Sequence, residues 1–233
     1  MPMSAQKIII TLDGWSSCGK STLAKALARA LGYVFVDSGA MYRAITLFFI
    51  RNQVNIADPV AVEKALEAIQ LQFIFNPARG ASDILLNGEN VEALIREMTV
   101  ASRVSEVAAL ARVRQFAVQQ QQRLGKEKGI VMDGRDIGTT VFPDAELKIF
   151  MTADMMVRVE RRFKEMFEKN PNTTIDEVKH NLEMRDYIDS NREISPLRMA
   201  QDAVLLDNTK LSMEEQLEFA KNLVSKKISL HMS

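Results

Sequence analysis

The chain has 233 residues, enough for one large domain or two small ones and for a substantial buried core. Its 30 Lys and Arg residues balance its 30 Asp and Glu residues, which argues against a general nucleic-acid binder because such proteins carry a basic excess. The single cysteine, Cys18, excludes an intramolecular disulfide, and no stretch has the roughly 18 consecutive apolar residues of a membrane helix. No secretory signal precedes the first predicted strand, so we expect a cytoplasmic protein without a membrane partner.

Short apolar runs alternate with longer helical patterns along the chain. Five runs are typical of buried strands: Ile8–Leu12, Tyr33–Val36, Ile130–Met132, Leu147–Met151 and Ala203–Leu206. Four of them are followed by helical patterns, at Ser21–Ala30, Ala40–Arg51, Ala153–Phe167 and Ser212–Lys227. This alternation predicts an α/β fold with a parallel sheet covered by helices on both faces.

Two segments interrupt the alternation. From Asp58 to about Arg96, a helix capped by Asp58 precedes LQFIF, a turn PARGAS and DILLNGEN, which together predict a small inserted hairpin. The polar segment from Phe167 to Asp176 is either a plain surface loop or a mobile lid over the active site. Neither segment indicates an independent domain, so we expect one domain over residues 1–233.

The sequence GWSSCGKS matches the phosphate-loop pattern G-x-x-x-x-G-K-[ST], and it stands between a predicted strand and a predicted helix. Glycine lets the backbone wrap around phosphates, and the helix N-terminus favours an anion. Lys20 is expected to reach the β- and γ-phosphates, and the Ser21 hydroxyl is expected to ligate Mg²⁺. The predicted ATP-binding residues of this loop are Gly14, Trp15, Ser16, Ser17, Cys18, Gly19, Lys20, Ser21 and Thr22.

Cys18 has two interpretations. It is either a reactive thiol beside a lysine and a helix N-terminus, or a small residue tolerated where the loop uses only its backbone. The second is favoured because no other cysteine and no nearby histidine supports redox chemistry.

Charged residues follow the other predicted strands. DSGAMYR (Asp37 to Arg43) opens the second helix, and DGRD (Asp133 to Asp136) directly follows the third strand. Ligands of parallel sheets bind beyond the carboxyl ends of the strands, so these residues should stand beside the phosphate loop. The stretch LLDNTKLS lacks the N-K-x-D guanine motif of GTPases.

Further arginines are candidates to neutralise a transferred phosphoryl group. In RDYIDSNR, Arg185, Asp189 and Arg192 have the spacing of one helix face, which fits either a site or an exposed ladder of ion pairs. Arg158, Arg161 and Arg162 precede the possible lid, where one of them could act as an arginine finger does.

The motifs GWSSCGKST, DSGAMYR, GRDIGTTVFPDA, RDYIDSNR and LLDNTKLS, in this order from end to end, resemble the bacterial cytidylate kinases. These are (d)CMP kinases of the nucleoside monophosphate kinase class. The resemblance implies a P-loop NTPase-type core with a nucleoside-monophosphate-binding insertion at about 58–96 and a lid at about 158–176. It also implies transfer of the γ-phosphoryl group of ATP to CMP or dCMP, with Mg²⁺, giving ADP and CDP or dCDP. We expect a monomer.

The resemblance also implies roles for individual residues. Ser38, Arg43, Arg135 and Arg192 would surround the acceptor phosphate and the transferred group, Arg185 and Asp189 would hold the sugar, and Ser105, Arg114 and Asp136 would read cytosine. The predicted catalytic residues are Lys20, Arg135, Arg158, Arg162 and Arg192. Asp133 is positioned like the strand-end carboxylate that holds a Mg²⁺-bound water, and adenine is expected between the lid arginines and the loop around Thr209. Trp15 and Ser17 replace a Pro and a Gly common in the family's loop.

Two alternatives remain at this point. One is a loop kinase for another small acceptor, including UMP. The other is an ATP-dependent switch or binding protein with no acceptor, against which the set of arginines argues.

Overall fold

The computed structural model describes residues 7–76, 81–168 and 170–230. In chain order, the strands are β1 (Ile9–Gly14), β2 (Val34–Asp37), β3 (Leu71–Asn76), β4 (Ala81–Leu86), β5 (Glu89–Asn90), β6 (Ile130–Gly134), β7 (Leu147–Thr152) and β8 (Val204–Asp207). The helices are α1 (Lys20–Leu31), α2 (Ser38–Arg51), α3 (Pro59–Glu67), α4 (Met98–Ala101), α5 (Val104–Ala109), α6 (Ala111–Leu124), α7 (Met155–Phe167), α8 (Ile175–Asn191) and α9 (Met213–Leu230).

A five-stranded sheet in the order β2-β6-β1-β7-β8 forms the centre of the fold. All its neighbouring strands are parallel, with Ile9 beside Ile130 and Ile10 beside Leu147. The inner strands β1, β6 and β7 are buried on both faces, which is why they read as short apolar runs in the sequence. The edge strands β2 and β8 are partly exposed, at Val34 and Leu205. The predicted α/β fold with a parallel sheet is confirmed.

Helices cover both faces of this sheet. On one side, Leu23 and Leu27 of α1 are fully buried with β1, β7 and residues of α9, and burial of each such side chain contributes about 1.5–3 kcal/mol. On the other side, α2 and α6 pack with the inserted segment in a second apolar cluster. Helix α1 ends at Leu31, and the left-handed backbone of the following Gly32 (φ 66°) is typical of a helix C-cap.

The segment inserted after α2 contains α3 and a small sheet of its own. Asp58 caps α3 by accepting hydrogen bonds from the backbone of Val60 and Ala61. Strands β3 and β4 form the antiparallel pair of the predicted hairpin, and the short β5 adds a third strand. Of the predicted turn between β3 and β4, residues 77–80 lie outside the described residues.

Helices α7 and α8 flank the polar segment that was predicted as a loop or lid. Thr174 and Glu177 form the capping box of α8. Helix α8 ends at Asn191, and Arg192 follows it with an extended backbone. The expectation that Arg185, Asp189 and Arg192 share one helix face is therefore wrong for Arg192, which lies just beyond the helix. None of the helices in the described ranges has the length and apolar character needed to cross a membrane.

Candidate active site

A cavity of about 1220 Å³ opens at the carboxyl ends of the central strands. The start of α1, the start of α2, the loop after β6, and helices α5 to α8 contribute to its wall. Eleven lysines and arginines line it against seven aspartates and glutamates. A chain without net charge thus concentrates positive charge around one cavity, as binding of polyphosphates requires.

The phosphate loop forms one end of the cavity. A side chain at Gly14 would collide with the carbonyl oxygen of Met151 in β7, so only glycine fits there. Gly19 has a left-handed backbone (φ 91°) and is the N-cap of α1, so the helix begins where the loop ends. Ser17, Gly19, Lys20, Ser21 and Thr22 line the cavity.

Lys20 is buried at the base of this loop. Its Nζ donates a 2.6 Å hydrogen bond to the carbonyl oxygen of Trp15. Burial lowers the pKa of Lys20, and the positive charge of Arg135 lowers it further. An anion in the loop would relieve both effects.

Cys18 does not present its thiol to the cavity. The side chain is fully buried, and the carbonyl oxygen of the same residue accepts a 2.7 Å hydrogen bond from Nδ2 of Asn208. Asn208 also donates to Gln216 of α9. This environment favours the interpretation of Cys18 as a small residue in a backbone-binding loop.

Ser21 and Asp133 form the candidate metal site. The Ser21 hydroxyl donates a 2.5 Å hydrogen bond to Oδ2 of Asp133, while Oδ1 of Asp133 is buried with no hydrogen-bond partner among the described residues. Burial and the negative charge of Asp37 raise the pKa of Asp133 to about 6. A hard cation beside the phosphates would satisfy the free oxygen and favour the ionised carboxylate, so these residues fit Mg²⁺.

The opposite end of the cavity is built around Asp136. This buried carboxylate contacts the guanidinium of Arg114 in α6 and accepts a 3.1 Å hydrogen bond from Nη2 of Arg192. The Arg114 guanidinium also lies over the ring of Tyr42, 5.5 Å from its centroid. Ser105 of α5 lines the same part of the cavity. The residues predicted to read cytosine are therefore brought together.

The middle of the cavity is positively charged. Arg135 donates hydrogen bonds to Asp189 (2.8 Å) and to the hydroxyl of Ser16 in the phosphate loop (2.9 Å). Burial and the nearby charge of Arg135 lower the pKa of Arg185 to about 10. Buried cations that repel one another indicate a place for an anion.

Ser38 and Arg43 line the cavity at the start of α2. The Ser38 hydroxyl donates to the carbonyl oxygen of Asp133 (2.5 Å), and Arg43 forms a 3.0 Å ion pair with Asp37. Arg96 of the inserted segment lies 3.3 Å from the same carboxylate and also lines the cavity. Sequence reasoning missed Arg96 because no motif surrounds it.

Six predicted site residues do not line the cavity: Gly14, Trp15, Ser16 and Cys18 of the phosphate loop, Arg158 and Thr209. Arg158 does not line the cavity: its buried guanidinium pairs with Asp186 and donates to the carbonyl oxygen of Ser16, beneath the phosphate loop. Thr209 lies in a separate depression, where its hydroxyl donates to Asp207 and accepts from the backbone of Asp154.

Two neighbours of Arg158 in α7 face the cavity instead. Arg161, one helical turn after Arg158, lines it and donates to the side chain and backbone of Asn208. Arg162 also lines it, with a 3.1 Å ion pair to Glu165 and a buried Nε that has no partner among the described residues. The helical repeat puts Arg158, Arg161 and Arg162 on neighbouring positions of one face of α7. The sequence therefore could not tell which of them lies beneath the loop, because the partner of Arg158, Asp186, stands in another helix.

Comparisons with known proteins identify the family of the chain. The family profile described as cytidylate kinase matches residues 10–226. The cytidylate kinase of Bacteroides thetaiotaomicron is 56% identical over 217 residues, which cover 92% of this chain and 95% of that protein. The cytidylate kinase of Flavobacterium psychrophilum is 53% identical, covering 94% and 99% of the two chains, and that of Cytophaga hutchinsonii is 50% identical, covering 97% of each. The chain therefore belongs to the cytidylate kinase family, as its motifs predict.

Proposed function

We propose that this member of the cytidylate kinase family transfers the γ-phosphoryl group of ATP to CMP or dCMP, giving ADP and CDP or dCDP. The observation that carries the proposal is the buried Asp136 between Arg114 and Arg192, in the same cavity as the phosphate loop. Cytosine offers an amino donor beside ring acceptors, so a carboxylate suits the first and a guanidinium the second.

The donor nucleotide would occupy the end formed by the phosphate loop. The phosphate loop and the N-terminus of α1, which begins at Lys20 after the N-cap Gly19, suit its phosphates. Adenine would lie against Arg161 and the loop after β8, where Asn208 and Leu211 line the cavity next to Thr209. We therefore expect adenine to contact Asn208 and Leu211, the neighbours of Thr209, and not Thr209 itself.

The acceptor would occupy the opposite end. Ser38, Arg43, Arg135 and Arg192 suit its phosphate, and Arg185 with Asp189 suits its sugar. Ser105 would add a hydroxyl beside the base. The excess of positive side chains between the two ends supports this arrangement, because two phosphate groups must approach each other there.

The transfer itself needs little covalent help from the protein. An oxygen of the CMP phosphate forms a bond to the γ-phosphorus of ATP while the bond from that phosphorus to the bridging oxygen breaks, and ADP leaves with the electron pair. The attacking oxygen is already ionised at neutral pH, so no strong base is required. Lys20, Arg135, Arg162 and Arg192 would stabilise the charge that spreads over the transferred group.

Mg²⁺ supplies charge neutralisation and alignment of the triphosphate when it is bound with ATP. Ser21 would hold it directly, and Asp133 would hold it through water. The free Oδ1 of Asp133 supports this assignment.

We also propose that two segments move during the reaction. The inserted segment at about 58–96 would carry Arg96 towards the acceptor, and the segment at about 158–176 would close over the donor as a lid. A cytoplasmic location and a monomeric state stay predictions from the sequence.

A coupled assay of ADP formation with a panel of monophosphates tests the function. We expect rapid, Mg²⁺-dependent turnover with CMP and dCMP and far slower turnover with UMP, AMP and GMP. Preference for UMP or a non-nucleotide acceptor would indicate another loop kinase. Binding of ATP without turnover on any acceptor would indicate a switch or binding protein.

A further inference from the structure

Asp13 is a buried carboxylate that none of the roles above uses. It stands in β1 directly before Gly14, and its side chain is buried. Its two oxygens accept hydrogen bonds from the backbone N–H groups of Ile137 (2.8 Å) and Gly138 (2.7 Å). These amides follow Arg135 and Asp136 in the chain, 124 and 125 residues away from Asp13.

The two amides open a helical turn at Ile137–Val141 whose N-cap residue is Asp136. The first N–H groups of a helical turn have no partner within it, and the side chain of an N-cap aspartate ordinarily satisfies them. Asp136 forms no such cap, because its carboxylate is turned towards Arg114 and Arg192. Asp13 supplies the missing cap from a distant strand and so leaves Asp136 free for the acceptor site.

The turn is seated directly on the sheet. A Cβ at Gly138 would lie 2.8 Å from Oγ1 of Thr11 and 3.1 Å from Cδ of Lys148, so the backbone approaches β1 and β7 as closely as glycine allows. The position of Asp136 along the cavity is therefore set by how this backbone rests on β1.

Burial of the ionised Asp13 carboxylate is energetically unfavourable. It raises the pKa of Asp13 to about 7, although the two backbone hydrogen bonds oppose the shift. A carboxylate buried at this cost contributes little to the stability of the fold. It can still fix the position of the turn, because its two oxygens hold two backbone N–H groups at once.

We infer that Asp13 is a positioning residue of the acceptor site, which holds the backbone of Ile137 and Gly138 so that Asp136 and Arg135 face the acceptor. The inference rests on the proposed function. The charge of Lys20 also acts on Asp13, but both hydrogen bonds of the Asp13 side chain go to the turn after Asp136. The backbone of β1 that leads into the phosphate loop is held by its ladders with β6 and β7, so we expect the larger effect at the acceptor.

The test is the steady-state kinetics of Asp13→Asn, with CMP varied at saturating ATP and ATP varied at saturating CMP. The amide keeps one acceptor oxygen and loses the other, so we expect the KM for CMP to rise about tenfold. The KM for ATP should stay within about twofold of that of the wild type, and the preference for CMP over UMP should fall.

Thr11→Val is the matched control. Thr11 is buried two residues earlier in the same strand and touches the same turn, but its hydroxyl has no hydrogen-bond partner among the described residues. Both KM values should be unchanged in this variant.

A double variant separates positioning from general destabilisation. If Asp13 acts through Asp136, adding Asp13→Asn to Asp136→Asn should raise the KM for CMP much less than Asp13→Asn does alone. If the two substitutions raised the KM for CMP by factors that simply multiply in the double variant, the inference would be contradicted.

Equal increases of both KM values, or an unchanged KM for CMP, would overturn it. Failure of both Asp13→Asn and the smaller Asp13→Ser to fold would also overturn it, since Asp13 would then be a folding residue. If the wild-type protein did not phosphorylate CMP, the proposed function would be refuted. That outcome is distinct from a failure of the inference about Asp13, which shows only in the variants.

Discussion

The hydroxyl of Ser21 and the carboxylate of Asp133 meet at 2.5 Å. The first residue belongs to α1 and the second to the end of β6, 112 positions apart in the chain. Their contact places an unpartnered carboxylate oxygen beside the first turn of the phosphate-loop helix.

Asp133→Asn should raise the Mg²⁺ concentration needed for half-maximal activity and lower kcat about tenfold or more, because one charge of the site is lost. The measurement is turnover with CMP across a Mg²⁺ titration at fixed ATP. Asp202→Asn, which removes an exposed carboxylate paired with Lys148, is the control and should leave the titration unchanged. An unaltered Mg²⁺ requirement in Asp133→Asn would remove Asp133 from the metal site.

Lys20→Ala should chiefly lower kcat, by about 100-fold or more, because Lys20 stabilises charge that grows during the transfer. The KM for CMP should change little, since Lys20 lies at the donor end of the cavity. Arg29→Ala, an exposed cation in the last turn of the same helix, is the matched control. Turnover near that of the wild type in Lys20→Ala would show that the loop does not hold the triphosphate as proposed.

Arg114→Met should lower kcat/KM for CMP about 100-fold, because Asp136 loses a buried partner and cytosine loses a donor. Arg112→Met provides a close comparison: Arg112 lies two residues earlier in α6, half exposed and paired with Glu63. Its kinetics should match the wild type. Full activity of Arg114→Met with CMP would refute the role of Arg114 in cytosine recognition.

The stability of the free protein should depend on pH through Asp13. Burial and the charge of Asp136 raise the pKa of this carboxyl from 3.8 to about 7, against the effects of two backbone amides and Lys20. Between these values the native state binds a proton that the unfolded chain has lost. Stability should therefore fall as pH rises from about 4 to 7, by up to about 1.4 kcal/mol per pH unit from this group.

Denaturant unfolding of the wild type and Asp13→Asn at pH 5, 6, 7 and 8 measures this effect. The stability of the wild type relative to the variant should decline from pH 5 to pH 7 and then level off. A difference that stays constant across this range would mean that Asp13 is ionised throughout.

Much of the fold could be predicted because its signals are local. The buried strands are short apolar runs, and both the glycine after α1 and the capping boxes mark helix ends within a residue or two of their observed positions. The phosphate loop is a continuous motif, so its context of strand and helix could be checked in the sequence itself.

The rest of the site depends on contacts between distant parts of the chain. Arg158 carries the same charge as Arg161, and only the position of Asp186 on α8 decides which of them is held beneath the loop. Arg96 contacts Asp37, which lies 59 residues away in the chain, and no periodicity of the sequence predicts this contact. The roles of Ser105 and Arg114 came from resemblance alone, since both stand in ordinary helical sequence.

The central position of β1 has a consequence for the synthesis of the protein. This strand is synthesised before its neighbours β6 and β7, which begin at Ile130 and Leu147. The bond from Asn208 that ties down the loop after β1 arises later still. A growing chain therefore contains its phosphate-binding sequence before the strands that complete the phosphate-binding site, and ATP turnover can begin only after Asn208 has been made.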